Sequence, residues 1–497
     1  MKTIHDPSGR KFSPTFLWLV PTFILCGIFI IASVPRVEAQ GKEQDSHHYM
    51  NFLQTVFDFI QNHYVEEVDS KAIYEGALKG MFGALGDPYS VFLQESEMAD
   101  LSENVIQGTY GGVGLYISKP VSEKPDGKPP YVEVASPIED TPGWRAGLKP
   151  GDLIKEINGE STDVLTMDEV LARLKGPPGV EIKLLIHRGK NLEFPVSLVR
   201  EVIEVPTVKQ AMIEDVAYLK LISFNALTVE RTRAAIENFQ TQGYKSLVLD
   251  LRNNYGGLLQ SAVGIGDFFL DGGVIVSVKS RIPMENTIFN ARRSTLVPAN
   301  IPVVVLINRG SASASEIVAG ALKDRGRAYL VGEKSFGKGS VQQVYPLDKA
   351  GFKITTARYF TPSDVNIDKI GIPPDQEVLF PEFTDEDSEL FSALIAANKI
   401  PAFVEENPEA AADVVDRFIR ELYREYPIDL SLLRRLVRDE QNRTVIVPVY
   451  DLEYDVQLQE AVKILRGGTY NALMRTTKTL KVLQEEAEKL EENALAS

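Results

Sequence analysis

The sequence predicts a multidomain α/β protein. An apolar N-terminal segment is followed by a helical lead-in, a β-rich module, an α/β core and a C-terminal helical domain. The chain has 497 residues, and domains average about 100 to 150 residues, so more than one core is expected. Hydrophobic residues make up 44% of the chain and charged residues 25%, a balance typical of folded proteins. The hydrophobic periodicity also changes along the chain, from helical to strand-like and back.

We place the domain boundaries where this periodicity changes. The predicted segments are 1–40 for the N-terminal segment, 41–107 for the lead-in, 108–200 for the β-rich module, 201–383 for the core and 384–497 for the helical domain. Residues 16–34 are almost entirely apolar, and Lys2, Arg10 and Lys11 precede them. A signal peptide and an uncleaved membrane anchor both fit this stretch, and both predict export of the rest of the chain.

The next two segments differ in their apolar spacing. The lead-in has apolar residues at helical spacing, namely Phe52, Val56, Phe59, Ile60, Ile73, Ala77, Leu78 and Met81. The β-rich module has short β-branched runs at 131–134 and 182–186, separated by turns such as Asn158-Gly159.

The core alternates strand-like runs with helices. The runs are 246–251, 303–307 and 328–331, and the helices are 258–270 and 316–323, which predicts a parallel sheet. In the helical domain, Val415, Phe418, Ile419 and Leu422 mark one apolar face. An approximate heptad follows at Leu473, Leu480, Leu483, Ala487 and Leu490, and both homo-oligomerisation and packing within the chain fit it.

Charge and residue counts exclude several functions. The net charge of −16 disfavours nucleic-acid binding. The single cysteine, Cys26, excludes an intrachain disulfide. All five histidines precede the core, so a Ser-His-Asp triad or a histidine-ligated metal site within the core is excluded; they are His5, His47, His48, His63 and His187.

Three segments of the core have the residues of a catalytic site. Residues 310–316 read GSASASE between a strand and a helix, which could expose a serine at a helix N-terminus or simply cap the helix. Residues 336–342 read FGKGSVQ, where Lys338 is either a buried general base or a surface lysine. Residues 249–257 read LDLRNNYGG, and this turn either supplies oxyanion donors or only reverses the chain.

Together these segments resemble the C-terminal processing (tail-specific) peptidases, and the resemblance extends from Tyr64-Val65 and GDPYS at 86–90 to GIPPD at 371–375. It implies a crotonase-like protease core, a serine endopeptidase and no cofactor or metal. It implies Ser313 as nucleophile, Lys338 as general base and Gln342 as the residue that orients the lysine. The implied oxyanion donors are the backbone N–H groups of Ala314, Gly256 and Gly257.

The β-rich module is similar to a PDZ domain. Residues 110–115 read YGGVGL where PDZ domains have their carboxylate-binding loop, and AGLKPGDLI at 146–154 and EING at 156–159 match the segments that follow. The resemblance implies that Gly112, Val113, Gly114 and Leu115 bind the C-terminal tails of protein substrates by strand addition. The export predicted from residues 16–34 places the protein in the periplasm or at the outer face of a bacterial cytoplasmic membrane.

The chain departs from the family pattern at two places. Tyr255 stands where the family usually has proline, and Asp364-Val365-Asn366 replaces a glycine-rich turn.

A catalytically silent PDZ scaffold at the membrane is one alternative function. A crotonase-type acyl-CoA hydratase is the other, and the export segment and the PDZ-like module argue against it.

Overall fold

The computed structural model describes residues 40–119, 131–189, 192–380, 385–408, 410–442 and 448–496. The chain divides into two compact units, one ending at Ala84 and the other beginning at Leu85. The predicted signal or anchor at 16–34 lies outside the described residues. Among the residues that are described, no helix is both long and apolar enough to cross a membrane.

The first unit contains the helices Gln40–His63 and Ser70–Gly83, as the helical periodicity predicts. Asp69 caps the second helix, because its side chain accepts a hydrogen bond from Lys71 N at 2.8 Å. The predicted boundary at 107 is too late. The strand Val91–Leu93 pairs antiparallel with Ala350–Phe360, so the segment that contains it belongs to the second unit.

The β-rich module forms a sheet of its own. In spatial order its strands are Leu115–Ser118, Val132–Pro137, Leu153–Ile157, Glu181–Arg188 and Leu192–Val199, with Glu160–Ser161 paired to the third. The helix Met167–Leu174 packs with it around one apolar cluster, and the short helix Pro142–Arg145 lies between the second and third strands in sequence. Among the described residues, the strand Leu115–Ser118 lies at an edge of this sheet, so one side of its backbone has no partner strand there.

The α/β core is built on a six-stranded sheet. The spatial order is Val208–Ile213, Val216–Leu221, Ser246–Asp250, Val303–Ile307, Tyr329–Gly332 and Gln376–Glu377. All neighbours are parallel except the first pair. Every residue of Ser246–Asp250 and Val303–Ile307 is buried, as expected for central strands covered on both faces.

Side chains of these strands alternate between two apolar clusters. Leu247 and Val305 join the cluster that contains the helices Thr228–Gln242, Leu259–Phe269 and Ala314–Asp324. Val248 and Val304 join the cluster on the opposite face. The sheet is therefore the middle layer of three.

The opposite face is covered by the end of the chain, which changes the predicted domain layout. The helix Val456–Arg466 places Leu458, Ala461 and Ile464 against the sheet, and Leu480 reaches the cluster on the other face. Residues 448–480 therefore belong to the core rather than to a separate domain over 384–497. The structure places Leu473 and Leu480 of the predicted heptad in packing within the chain.

The remaining elements form a second sheet and a helical lobe. The second sheet orders Val91–Leu93, Ala350–Phe360, Gly273–Ser280 and Thr287–Ala291, and Ser340–Leu347 also pairs with Ala350–Phe360. The lobe contains the helices Asp385–Ala396, Lys399–Glu406, Ala412–Glu425 and Leu430–Asn442 around its own apolar cluster. The five-residue helix Tyr470–Met474 and the 17-residue helix Leu480–Ala496 follow the helix Val456–Arg466.

Candidate active site

Ser313 lies at a sharp turn between a central strand and a helix. The strand Val303–Ile307 leads into the turn, and Ser313 is the residue that precedes the helix Ala314–Asp324. Its φ of 55° and ψ of −111° lie in a region that side-chain-bearing residues rarely adopt. Such a strained strand-turn-helix holds a serine where a nucleophile is needed.

The buried carboxylate of Glu316 joins the serine segment to the lysine segment. Its Oε2 accepts hydrogen bonds from Ser313 N and Lys338 N, both at 2.8 Å. Its Oε1 accepts from Gly337 N and Ser335 Oγ, both at 2.6 Å. Burial raises the pKa of Glu316, and these four donors act against the rise. One side chain thus sets the spacing of Ser313 and Lys338.

Glu316 was not predicted as a site residue, although the sequence carried a signal for it. Serine followed three residues later by glutamate is the spacing of a capping box, in which the glutamate accepts from the backbone of the capping residue. Ser313 and Glu316 have that spacing and make that bond.

The amine of Lys338 faces an aromatic ring. Its Nζ lies 4.6 Å from the centre of the Tyr89 ring. Burial lowers the pKa of Lys338, the charge of Lys353 lowers it further, and Asp87 and Glu316 act in the opposite direction. Within the described residues, the amine makes no hydrogen bond or ion pair. This environment favours the neutral amine that a general base requires.

Asp87 organises the segment that carries Tyr89. Its Oδ1 accepts from Tyr89 N at 3.0 Å, and its Oδ2 accepts from Ser90 Oγ and Thr355 Oγ1, both at 2.6 Å. In the sequence, the GDPYS segment at 86–90 was recognised only as part of the family resemblance. In the structure, it holds the Tyr89 ring over Lys338.

Gln342 does not contact Lys338 in this structure. Its Nε2 donates to Ser340 Oγ at 2.8 Å and to Thr355 Oγ1 at 3.3 Å. The predicted direct orientation of Lys338 by Gln342 is therefore not the observed arrangement. Gln342 instead reaches the network of Thr355 and Asp87, because its strand and the strand of Thr355 are paired at these two residues.

The side chain of Ser313 lies beside the hydroxyl of Tyr359, a residue that sequence reasoning did not single out. The ring of Tyr359 is buried, and burial raises the pKa of its hydroxyl to about 12, whereas the neighbouring Ser313 acts to lower it. Tyr359 N also donates to Gly339 O at 2.7 Å, next to Lys338. Tyr359 is thus close to both segments of the predicted dyad, the one that carries Ser313 and the one that carries Lys338. No hydrogen bond joins the Ser313 and Lys338 side chains, both of which the structure describes.

The Gly-Gly turn lies against the start of the serine helix. A side chain on Gly256 would place its Cβ 2.9 Å from Ala314 N and 2.7 Å from Ala312 O. Gly256 N itself donates to Asn254 Oδ1 at 2.9 Å, so this predicted oxyanion donor is already engaged. In the described part of the chain, the N–H groups of Ala314 and Gly257 have no acceptor. These two predicted donors remain available.

The two departures from the family pattern do not disturb the contacts of Ser313 and Lys338. The Tyr255 side chain is 77% exposed, so it extends away from the turn. Asp364, in the other departure, pairs with Lys279 at 2.5 Å.

The predicted tail-binding loop opens onto a separate cavity of about 280 Å³. Val113, Gly114, Leu115, Ile138, Leu171 and Leu174 line it. Gly112 ends the strand Thr109–Gly112, and Leu115 begins the edge strand. At one side of the cavity, Lys175 Nζ pairs with Asp100 at 2.7 Å and Glu103 at 3.1 Å. An apolar cavity beside an edge strand suits an extended peptide with an apolar end.

Comparison with known proteins finds three families along the chain. Peptidase family S41 matches residues 215–378, the Activating protease CtpB N-terminal domain matches residues 31–97, and the PDZ domain matches residues 133–188.

Similar proteins span most of the chain. The carboxy-terminal-processing protease of Bartonella bacilliformis is 35% identical over 468 residues, which cover 90% of this chain and 96% of that protein. The carboxy-terminal processing protease CtpA of Bacillus subtilis is 31% identical over 333 residues, or 67% of this chain and 69% of that protein. Among solved structures, a photosystem II D1 C-terminal processing protease aligns with a TM-score of 0.39 and 31% identity, covering 63% of this chain and 84% of that one.

Proposed function

Because the chain belongs to the carboxy-terminal processing serine proteases of peptidase family S41, with a PDZ domain, we propose that it cuts exported proteins with a Ser313/Lys338 dyad. It selects these proteins by their C-terminal tails. The observation that carries the proposal is the bridging of both segments by Glu316, since Ser313 N and Lys338 N donate to the same carboxylate oxygen.

The proposed reaction is acyl transfer through Ser313. Neutral Lys338 accepts the Ser313 hydroxyl proton as the oxygen attacks the peptide carbonyl, and it then protonates the leaving amine. Water, deprotonated by Lys338, hydrolyses the resulting ester and frees Ser313. The Ser313 hydroxyl forms its hydrogen bond to Lys338 when substrate binds, as catalytic hydrogen bonds often tighten only in the complex.

The oxyanion is stabilised by two backbone amides. Ala314 N stands at the start of the helix Ala314–Asp324, where the helix dipole favours negative charge. Gly257 N is the second donor, across the space that glycine at position 256 leaves open. Both amides are held in place before the reaction, which is what makes such donors effective.

The PDZ domain delivers the tail. The tail adds as a strand beside Leu115–Ser118, its carboxylate meets the loop at Gly112 to Leu115, and its last side chain fills the apolar cavity. An extracytoplasmic location, in the periplasm or at the outer face of the cytoplasmic membrane, is part of the proposal. It is supported by the apolar residues 16–34 and the basic residues before them.

The dyad is tested by proteolysis of an unstructured protein that ends in apolar residues, using the full chain in detergent. We expect Ser313→Ala and Lys338→Ala to fold but to lose at least about 10³-fold in rate. Lys334→Ala changes an exposed lysine of the same loop and should keep the wild-type rate. Activity of folded Lys338→Ala within tenfold of the wild type would refute the lysine base. A folded wild type that cuts no tailed substrate would favour the scaffold alternative.

Tail recognition is tested by fluorescence anisotropy with a labelled apolar peptide. Leu171→Glu places a charge in the cavity and should weaken binding by about tenfold or more, because a bound apolar side chain would desolvate that charge. Val164→Glu is the matched control, since Val164 is 76% exposed in the same domain and does not line the cavity. Equal binding of the free-acid and amidated peptides would contradict carboxylate recognition.

A further inference from the structure

A buried arginine just before the Gly-Gly turn is held by two carboxylates, one from its own strand end and one from a distant part of the chain. Arg252 follows the strand Ser246–Asp250 and is 7% exposed. Its Nε and Nη2 donate to Asp250 at 3.0 and 2.7 Å. Its Nη1 and Nη2 donate to Asp455 at 2.7 and 2.6 Å. Asp455 is 203 positions later and lies outside residues 215–378, which match the peptidase family.

Asp455 is fixed by the helix that follows it. Its Oδ1 accepts from Leu458 N at 2.9 Å, so it caps the helix Val456–Arg466. Gln457 lies two residues after Asp455. Its Oε1 accepts a hydrogen bond from Arg252 Nη1 at 3.1 Å, and its Nε2 donates to Val378 O at 2.7 Å. Because this helix packs on the central sheet, its position determines where the two side chains meet Arg252.

The turn that follows Arg252 is bonded directly to the serine segment. Asn254 O accepts from Ala312 N at 3.0 Å and from Ser315 Oγ at 2.8 Å. Asn254 Oδ1 accepts from Gly256 N, and the α-carbon of Gly256 faces Ala314 N. A change in the direction of the chain at Arg252 would therefore move Gly257 relative to Ala314.

Charge balance alone does not explain the second carboxylate. Asp250 already neutralises Arg252, and Tyr218 Oη donates to Asp250 Oδ2 at 2.6 Å. Asp455 adds a second pair of bonds on another edge of the guanidinium, and planar pairs of this kind fix orientation as well as contributing energy. With bonds on both sides, the guanidinium is held between the end of the strand Ser246–Asp250 and the start of the helix Val456–Arg466.

We propose that Asp455, assisted by Gln457, is a positioning residue of the active site. Its carboxylate orients Arg252, and Arg252 fixes the backbone path of the turn that ends at Gly257. That path determines the distance between the two oxyanion donors, Gly257 N and Ala314 N. The end of the chain thus completes a catalytic site formed by the core. The proposal rests on the proposed function for its catalytic consequence, but its structural part can be measured without activity.

The test uses the full chain and compares Asp455→Asn with wild type. We expect kcat on a tailed substrate to fall about 10- to 100-fold with KM nearly unchanged, since a displaced oxyanion donor costs less than the 10²- to 10³-fold of a lost one. Asp455→Glu keeps the charge and should recover part of kcat. Amide hydrogen exchange in the peptide that covers residues 251–258 should become faster in Asp455→Asn.

Two variants on the same helix separate positioning from loss of stability. Ile464→Ala removes a buried side chain from the same helix without touching Arg252, so it should lower Tm but leave kcat and exchange at 251–258 unchanged. Lys463→Ala alters an exposed side chain and should change none of these quantities.

The outcomes distinguish this inference from the proposed function. If Asp455→Asn shows the same exchange at 251–258 as Ile464→Ala, the positioning role is wrong, whatever the activity. A kcat within twofold of wild type in folded Asp455→Asn also overturns it. If exchange at 251–258 rises as expected but the wild type cuts no substrate, the positioning of the turn stands and the proposed function fails.

Discussion

At the scale of single residues, the charge state of Lys338 matters most for the proposed chemistry. Burial and the neighbouring charge of Lys353 lower the pKa of Lys338, and no carboxylate pairs with its amine within the described residues. Glu316 avoids such pairing because backbone N–H groups and Ser335 occupy its oxygens. A carboxylate thus organises the site without forming an ion pair with the base.

The effect of this neighbouring charge can be measured in the pH profile of kcat/KM. Activity should rise with pH as Lys338 loses its proton. Lys353→Gln removes a charge that lowers the pKa of Lys338, so the acid limb should move to higher pH. Lys349→Gln, at an exposed lysine nearby in sequence, should leave the limb in place. A limb that moves to lower pH in Lys353→Gln would contradict the assignment of Lys338 as the base.

Replacing Glu316 by glutamine tests its bridging role. Glutamine is nearly isosteric, but its amide group donates and would face N–H groups that need an acceptor. We expect unfolding free energy to fall by about 1 to 3 kcal/mol, and kcat to fall together with it. Urea unfolding and steady-state kinetics check this, with exposed Glu230→Gln as the control. Unchanged kcat in folded Glu316→Gln would exclude the bridging role.

At the scale of elements, the strand-turn-helix at Ser313 and the Gly-Gly turn form one unit. Small residues are required where they meet, because Gly256 faces Ala312 O and Ala314 N, and a Cβ on Gly257 would lie 2.0 Å from Phe224 O. Positive φ values at both glycines add a second reason, since side-chain-bearing residues are strained there. The spacing of the two turns therefore depends on glycine.

Gly256→Ala separates contact from backbone strain. The new methyl group would fill the space beside Ala314 N, and kcat should fall about 10²- to 10³-fold, as for loss of an oxyanion donor. Gly272→Ala is the matched control for backbone strain. Gly272 also has a positive φ, of 88°, but nothing lies within 4 Å of the added methyl group. Steady-state kinetics on both variants should show the loss only at position 256. Equal losses would assign the effect to strain.

At the scale of the whole molecule, the chain closes its central sheet with its own end. The strands of the sheet come from residues 208–377, but one of its faces is covered by the helix Val456–Arg466. The helical lobe with its separate cluster lies between them in sequence. Folding of the core consequently requires residues from both sides of the lobe.

Two leucines of the C-terminal segment test this dependence. Leu458→Ala leaves a cavity against the sheet and should lower the unfolding free energy of the core by about 2 to 5 kcal/mol. Leu490→Ala makes the same chemical change at a side chain that is 70% exposed and should stay within about 0.5 kcal/mol. Chemical denaturation followed by circular dichroism measures both. Similar values for the two variants would place the helix outside the folding unit.

Local patterns in the sequence determined much of this description. Buried runs such as 303–307 predicted the central strands, because strands covered on both faces must be apolar throughout. The segments around Ser313 and Lys338 identified the peptidase family, which the comparisons confirm. The PDZ domain was likewise predicted from its loop and the segments after it, and is confirmed.

Only the tertiary structure decided how these parts meet. It joined Ser313 to Lys338 through Glu316, and it engaged Gly256 N, whereas Gly257 N has no acceptor among the residues that the structure describes. It also brought Asp455 to Arg252, a contact that no local pattern could reveal across 203 positions. The physical reason is that periodicity and turn residues record local preferences, whereas hydrogen-bond partners depend on which elements pack together in space.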